Sequence, residues 1–177
     1  MTKDIYFDTD CLSAFLWVSR QDILEQLYST RIMIPRQVYD ELSNPSIRQL
    51  KQRLDGMIAN NNGSLIEIEV STQTSNLYME MINSPKNNHI IIGRGEASAL
   101  ALAKNNSGVV ASNNLRDVKD YVNELSILHI TSGDIMCEAL ENTLITEIEG
   151  NRIWADMIKR RRKLPTSTFT SYLKTYR

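Results

Sequence analysis

Short apolar runs alternate with longer segments of helical period along most of the chain. Five runs read as strands: 5–7, 31–34, 65–70, 108–111 and 127–130. The third, Leu65-Ile-Glu-Ile-Glu-Val70, alternates with a period of two, which predicts an edge strand with Glu67 and Glu69 on its wet face. The segments between carry apolar residues three or four apart and predict helices over 11–20, 22–28, 46–59 and 72–82. Further helices are expected from Pro35, where a missing N–H costs nothing, after Gly95, after Asn113 or Asn114, and from Thr131 or Ser132. Pro45 closes the helix that holds Val38 and Leu42, because it disfavours the helical region at Asn44. Strand and helix in regular alternation imply right-handed crossovers and a mainly parallel sheet, hence an α/β protein with three α/β/α layers.

Beyond Gly150 the texture changes. Ile153, Trp154, Met157 and Ile158 form an apolar face, the basic run Lys159-Arg160-Arg161-Arg162-Lys163 follows, and Pro165 precedes a last helix over 166–176. The expected organisation is therefore an α/β domain over 1–148 and a basic helical C-terminal extension over 149–177. The charge supports this division. Residues 151–177 carry +7 and residues 1–150 carry −8, although the net charge is only −1. An acidic body with a basic end suits a cation site beside a surface that meets a polyanion. Apolar residues make up 42% of the chain in runs too short to span a membrane, and the first residues lack a signal-peptide core. Cys11 and Cys137 are far apart and read as buried reduced thiols, so the expectation is a cytoplasmic protein.

Candidate chemistry gathers where strands end. Asp8 stands at the carboxyl end of the first strand with Asp10 two residues on, in the position where open α/β sheets bind ligands. Glu41 falls in the last turn of its helix, the wrong end for an acid, at a cost of roughly 0.3–1 kcal/mol. Such a breach of a local rule marks a functional candidate. Glu96 follows Gly93-Arg94-Gly95, whose glycines let the backbone approach a neighbour closely, and it opens an alanine-rich helix. This is no phosphate loop, since it lacks that motif's spacing and its Lys-Ser/Thr ending. Ser112-Asn113-Asn114-Leu115-Arg116-Asp117 repeats the opening design after a later strand, with either Asn able to cap the next helix and Asp117 placed as in a capping box.

In order and context these pieces resemble a PIN domain, the fold of VapC-type toxins and related ribonucleases. The resemblance rests on Tyr6-Phe-Asp-Thr-Asp10, Ile34-Pro-Arg-Gln-Val-Tyr-Asp-Glu-Leu42, Gly93-Arg-Gly-Glu-Ala-Ser-Ala-Leu100 and Val110-Ala-Ser-Asn-Asn-Leu-Arg-Asp-Val118. It spans roughly residues 4 to 145 and implies a magnesium- or manganese-dependent enzyme that cuts RNA. Asp8, Glu41 and Glu96 match the family's first three acids. Some members place the fourth acid where this chain has Asn113 and Asn114; others have Asn there and an acid three residues on, which Asp117 matches.

The chemistry leads the same way. Four carboxylates about 5 Å apart repel by roughly 3 kcal/mol per pair at an effective dielectric near 20, and a hard dication with oxygen ligands relieves the conflict. The expected roles are metal ligation by Asp8, Glu96 and Asp117 with Asn114, ligation or water orientation by Glu41, and support from behind by Ser112 and Asp10. Arg94, Arg116 and Lys159, Arg160, Arg161, Arg162 and Lys163 are the candidate RNA-binding rim. The expected partners are RNA, an antitoxin protein and a second copy of the chain. No Ser/His/Asp or Cys/His set stands out, which argues against a covalent intermediate. Two rivals remain: a PIN-like protein that binds RNA or a partner without cutting, and a haloacid-dehalogenase-like phosphatase using Asp8. Against the second, Cys11-Leu12 stands where that family's motif normally has Gly-Thr.

Overall fold

The computed structural model describes residues 3–176; Met1, Thr2 and Arg177, at the outer ends of the two expected segments, lie outside the described residues. Five strands form one sheet: β1 (Ile5–Phe7), β2 (Ile32–Pro35), β3 (Ser64–Ile66), β4 (Val109–Ala111) and β5 (Leu128–Ile130). Their order is β3-β2-β1-β4-β5, and every pairing is parallel. The chain steps outward from β1 to β3, then returns to the other side of β1 and steps outward again. The switch point of the sheet therefore lies between β1 and β4, at their carboxyl ends.

Among the described residues, ten α-helices accompany the strands: α1 (Thr9–Trp17), α2 (Gln21–Tyr28), α3 (Arg36–Leu42), α4 (Arg48–Ala59), α5 (Gln73–Asn83), α6 (Arg94–Asn105), α7 (Leu115–Leu125), α8 (Ser132–Glu141), α9 (Glu147–Lys159) and α10 (Phe169–Tyr176). The period-two side-chain alternation of a strand divides the core. Ile5 and Phe7 of β1 join Ile32, Ile34 and the apolar faces of α1 to α4, whereas Tyr6 and Val110 face the other layer with Met81, Leu100 and Val118. The result is the three-layer α/β/α architecture expected from the sequence.

The third strand is shorter than its alternation predicts. It stops at Ile66, and Val70 is 86% exposed. The reason is its partner. Pro35 pairs with Ile66 and α3 begins at the next residue, so residues 67–70 have no strand to lie against. Glu67 is on the surface, as expected, and meets Arg36 at 3.3 Å.

The basic C-terminal segment is held by the same core as the sheet. Ile153, Trp154, Met157, Phe169 and Leu173 join the layer that contains α1, α2 and α8. Trp154 is fully buried, and its indole N–H donates to the Thr166 carbonyl at 2.9 Å. Gly150 has no room for a side chain, since an added Cβ would overlap the Phe169 ring. Among the described residues, no helix is long and apolar enough to cross a membrane.

Candidate active site

Asp8 ends β1 and caps α1. Its backbone N–H extends the β1–β4 ladder to the Ala111 carbonyl at 2.9 Å, and its Oδ1 accepts the Cys11 N–H at 2.7 Å. The side chain is completely buried, and Oδ2 has no hydrogen-bond partner. Burial pushes the carboxyl up to about 7 from 3.8. The nearby Ser112 hydroxyl and the Cys11 N–H oppose the rise, while Glu96 and Asp10 add to it. A buried carboxylate oxygen without a donor is costly.

Glu41 comes from the end of α3, and its misplacement there is explained by a neighbour. Oε1 accepts the Gly95 N–H at 3.1 Å, and the other oxygen accepts the Thr9 hydroxyl. Gly95 is in the first turn of α6, so Glu41 sits at a helix N-terminus, where an acid is favoured, though the helix is not its own. The glycine is needed for close approach. A Cβ on Gly95 would lie 2.5 Å from Thr9 Oγ1 and 3.1 Å from Glu41 Oε2.

Glu96, one residue further on, accepts from Asn114 Nδ2 at 3.0 Å. The same amide donates to Asp117 Oδ2 at 2.8 Å, so two carboxylates share one NH2 group. Arg116 Nε also donates to Asp117 at 2.9 Å, and the Asp117 carboxyl is lowered first by Arg116 and then by Asn114. Asn114 occupies the cap position of α7, but its side chain makes no capping bond, and the capping box expected with Asp117 does not form. A cap would need Oδ1 as acceptor, whereas the amide is oriented with Nδ2 donating to the two acids. Its backbone N–H instead donates to Ser112 Oγ at 3.2 Å. Asn113 is turned away to α8. It donates to Ser132 Oγ at 2.9 Å and accepts the Ser132 N–H at 2.9 Å, tying the end of β4 to the next helix.

Asp10 is exposed and meets Arg162 Nη1 at 3.4 Å, while the same nitrogen donates to Ser13 Oγ at 3.2 Å. The basic run thus returns to the candidate site across 152 residues of chain. Lys163 also contributes to lowering the Asp117 carboxyl. The rest of the run is more distant in role: Lys159 pairs with Asp156 at 3.2 Å, and Arg160 lies over the Trp17 ring at 5.5 Å. Arg94 and Arg161 are exposed.

Four of the candidate acids therefore lie at the carboxyl-end face of the sheet in three groups: Asp8 beside Ser112, Glu41 with Thr9 and Gly95, and Glu96 with Asn114 and Asp117, while Asp10 meets Arg162. Among the described residues, no three acid, imidazole or thiol groups converge closely enough to enclose an ion as they stand. The donor set still suits a hard dication, being all oxygen and including the unpartnered Asp8 Oδ2. Thr9 and Gly95 were not among the site residues expected from the sequence, and Arg162, expected on the RNA-binding rim, was not expected against Asp10 and Ser13. Thr9 lies between two of the acids, which was the available signal; the reach of Arg162 has no local one.

A family model described as a PIN domain matches residues 4–176, and the chain belongs to that family. PIN domains are typically nucleases and generally use divalent metals, so the role is of nuclease type. The match runs through α9 and α10, beyond the stretch that carried the sequence resemblance. No curated protein and no solved structure matches the chain.

Proposed function

We propose that the protein is a divalent-metal-dependent endoribonuclease that hydrolyses RNA phosphodiester bonds in the cytoplasm, as the toxin of a toxin–antitoxin pair. The observation that carries this reading is the buried Asp8, whose Oδ2 lacks a donor at the switch point of a PIN-family sheet. Asp8, Glu96 and Asp117, with Asn114, would hold magnesium or manganese. Such an ion, when bound, would supply an acidified water and offset charge on the phosphate. The Cys11 amide fixes Asp8 Oδ1, with the Ser112 hydroxyl nearby. Thr9 and the Gly95 amide hold Glu41 in the orientation from which it positions the attacking water. Arg94, Arg116 and the 159–163 run offset the repulsion between an acidic cleft and the RNA backbone.

Labelled single-stranded RNA incubated with the purified chain tests the proposal. Cutting should require magnesium or manganese, stop with chelator, and be lost in Asp8→Asn and Glu96→Gln while both variants stay folded. Equal cutting by both variants would remove the site assignment.

A second reading has its own observation. The Asn114 amide bridges Glu96 and Asp117 in the place of an ion, and among the described residues no three acids close on one point. On this reading the protein binds RNA or a partner without cutting, and the same assay would show binding with no products at any metal concentration. Membership of the PIN family leaves the phosphatase reading without support. For an antitoxin or a second copy, Ile90 and Ile91 offer exposed apolar surface in the chain leading to Gly93.

A further inference from the structure

Beside the Asn114–Asp117 pair lies a cavity of about 280 Å³, lined by Asn113, Leu115, Thr131, Lys163, Leu164, Pro165 and Tyr172. Its two walls come from separate segments of the chain. One is the start of α7, where Leu115 is 45% exposed and stands two residues before Asp117. The other is the loop after α9. That loop is pinned on both flanks: Arg162 holds Asp10 and Ser13, its backbone N–H donates to the Met157 carbonyl at 3.0 Å, and Trp154 holds Thr166 at 2.9 Å. Lys163, Leu164 and Pro165 are therefore presented by a fixed segment. The Tyr172 hydroxyl is occupied by Asp134 at 2.9 Å, which orients its ring.

We propose that this cavity is the subsite for a nucleobase of single-stranded RNA next to the bond that is cut. The inference rests on the nuclease reading and deepens it. The lining fits a flat apolar ligand with an anionic backbone. Leu115, Leu164 and Pro165 offer apolar contact for a base, Tyr172 closes the wall with its ring already packed against Gly133, Trp154 and Tyr176, and the exposed Lys163 also lines the cavity, with Arg116 next to Leu115 on α7. Single strands are recognised by this pairing of stacking surface and basic rim. The size is at the low end of small-ligand sites, which suits one base and not a folded peptide segment. A base held here lies against Asn113 and Leu115, on either side of Asn114, whose amide donates to Glu96 and Asp117. The subsite would then select the nucleotide at the cut, a task that the acidic residues themselves cannot perform.

The test uses the full chain and a short single-stranded RNA carrying 4-thiouridine at each position in turn. Irradiation should join the RNA to Tyr172, Leu115 or Lys163, as mapped by mass spectrometry. Leu115→Asp should weaken RNA binding about tenfold, read by fluorescence anisotropy, and raise the KM for cutting similarly, with manganese affinity unchanged. Leu115→Phe, which keeps an apolar face, should restore binding. If the parent chain binds and cuts RNA but cross-links map elsewhere and Leu115→Asp binds normally, the subsite is wrong and the nuclease reading stands. If a protein partner protects Leu115 and Tyr172 while RNA does not, the cavity is a protein-docking site and the inference is overturned. If the parent neither binds nor cuts RNA, the nuclease reading fails and takes the subsite with it.

Discussion

The carboxylate of Glu41 accepts the backbone N–H of Gly95 at 3.1 Å, joining the end of one helix to the start of another across 54 residues of chain. Each residue explains the other's oddity. The acid is at the wrong end of α3 because it serves α6, and the glycine is bare because the acid and Thr9 need the space. Gly95→Ala should therefore destabilise the fold by roughly 1–3 kcal/mol, the usual range for overpacking. It should also impair RNA cutting more than Gly56→Ala, a site with open space around it. Urea denaturation and a cleavage assay on both variants check this.

Asp8 makes stability depend on pH in an unusual direction. Its folded carboxyl is pushed up to about 7, above the value of 3.8 in the unfolded chain. Between those limits the folded state binds more protons, so stability falls as pH rises, by up to about 1.4 kcal/mol per pH unit from this group. The contribution is fully present below about pH 4 and lost as pH rises through about 7. Asp8→Asn should flatten the slope. Manganese should flatten it as well, by favouring the ionised carboxylate. Denaturation series in chelator and in manganese, from pH 4 to 8, measure both effects.

The shared amide of Asn114 supports another expectation. Asn114→Ala removes the one donor common to Glu96 and Asp117. Metal affinity or activity should drop roughly 10–100-fold, as for other residues that orient ligands. Asn114→Asp places a third carboxylate against the two. It should lower the Tm in chelator and raise it toward the parent value in manganese, a reversal visible in thermal scans.

The C-terminal helices should behave as core. Trp154→Ala ought to cost about 3–5 kcal/mol, the usual range for a buried aromatic. A chain ending at residue 148 should lose cooperative unfolding, because it uncovers the layer that Trp154 and Phe169 complete. A truncated chain with a sharp transition would contradict this.

Much of this was legible in the sequence wherever the signal was local. The apolar runs at β1 and β4 and the polar residues that follow them located Asp8, Ser112 and Asn114, because strand ends and acids stand side by side in the chain. Glu41 was detectable by its misfit with its own helix, but its partner was not, since the Gly95 amide is identical to any other until the fold brings it near. Alternation at 65–70 reported which side chains face water and said nothing about whether a neighbouring strand exists, so the strand was predicted too long. The Asn114 capping prediction failed because local propensity ignores two acids delivered by the tertiary fold and the following turn. The return of Arg162 to Asp10 depends on how α9 packs, which no window of sequence carries.

The most direct measurement is anomalous diffraction from a manganese-soaked crystal of the full chain. A peak within coordination distance of Asp8 Oδ2, with Glu96 and Asp117 around it, is the predicted result. A peak at another surface, or no peak at a concentration that supports RNA cutting, would contradict the account.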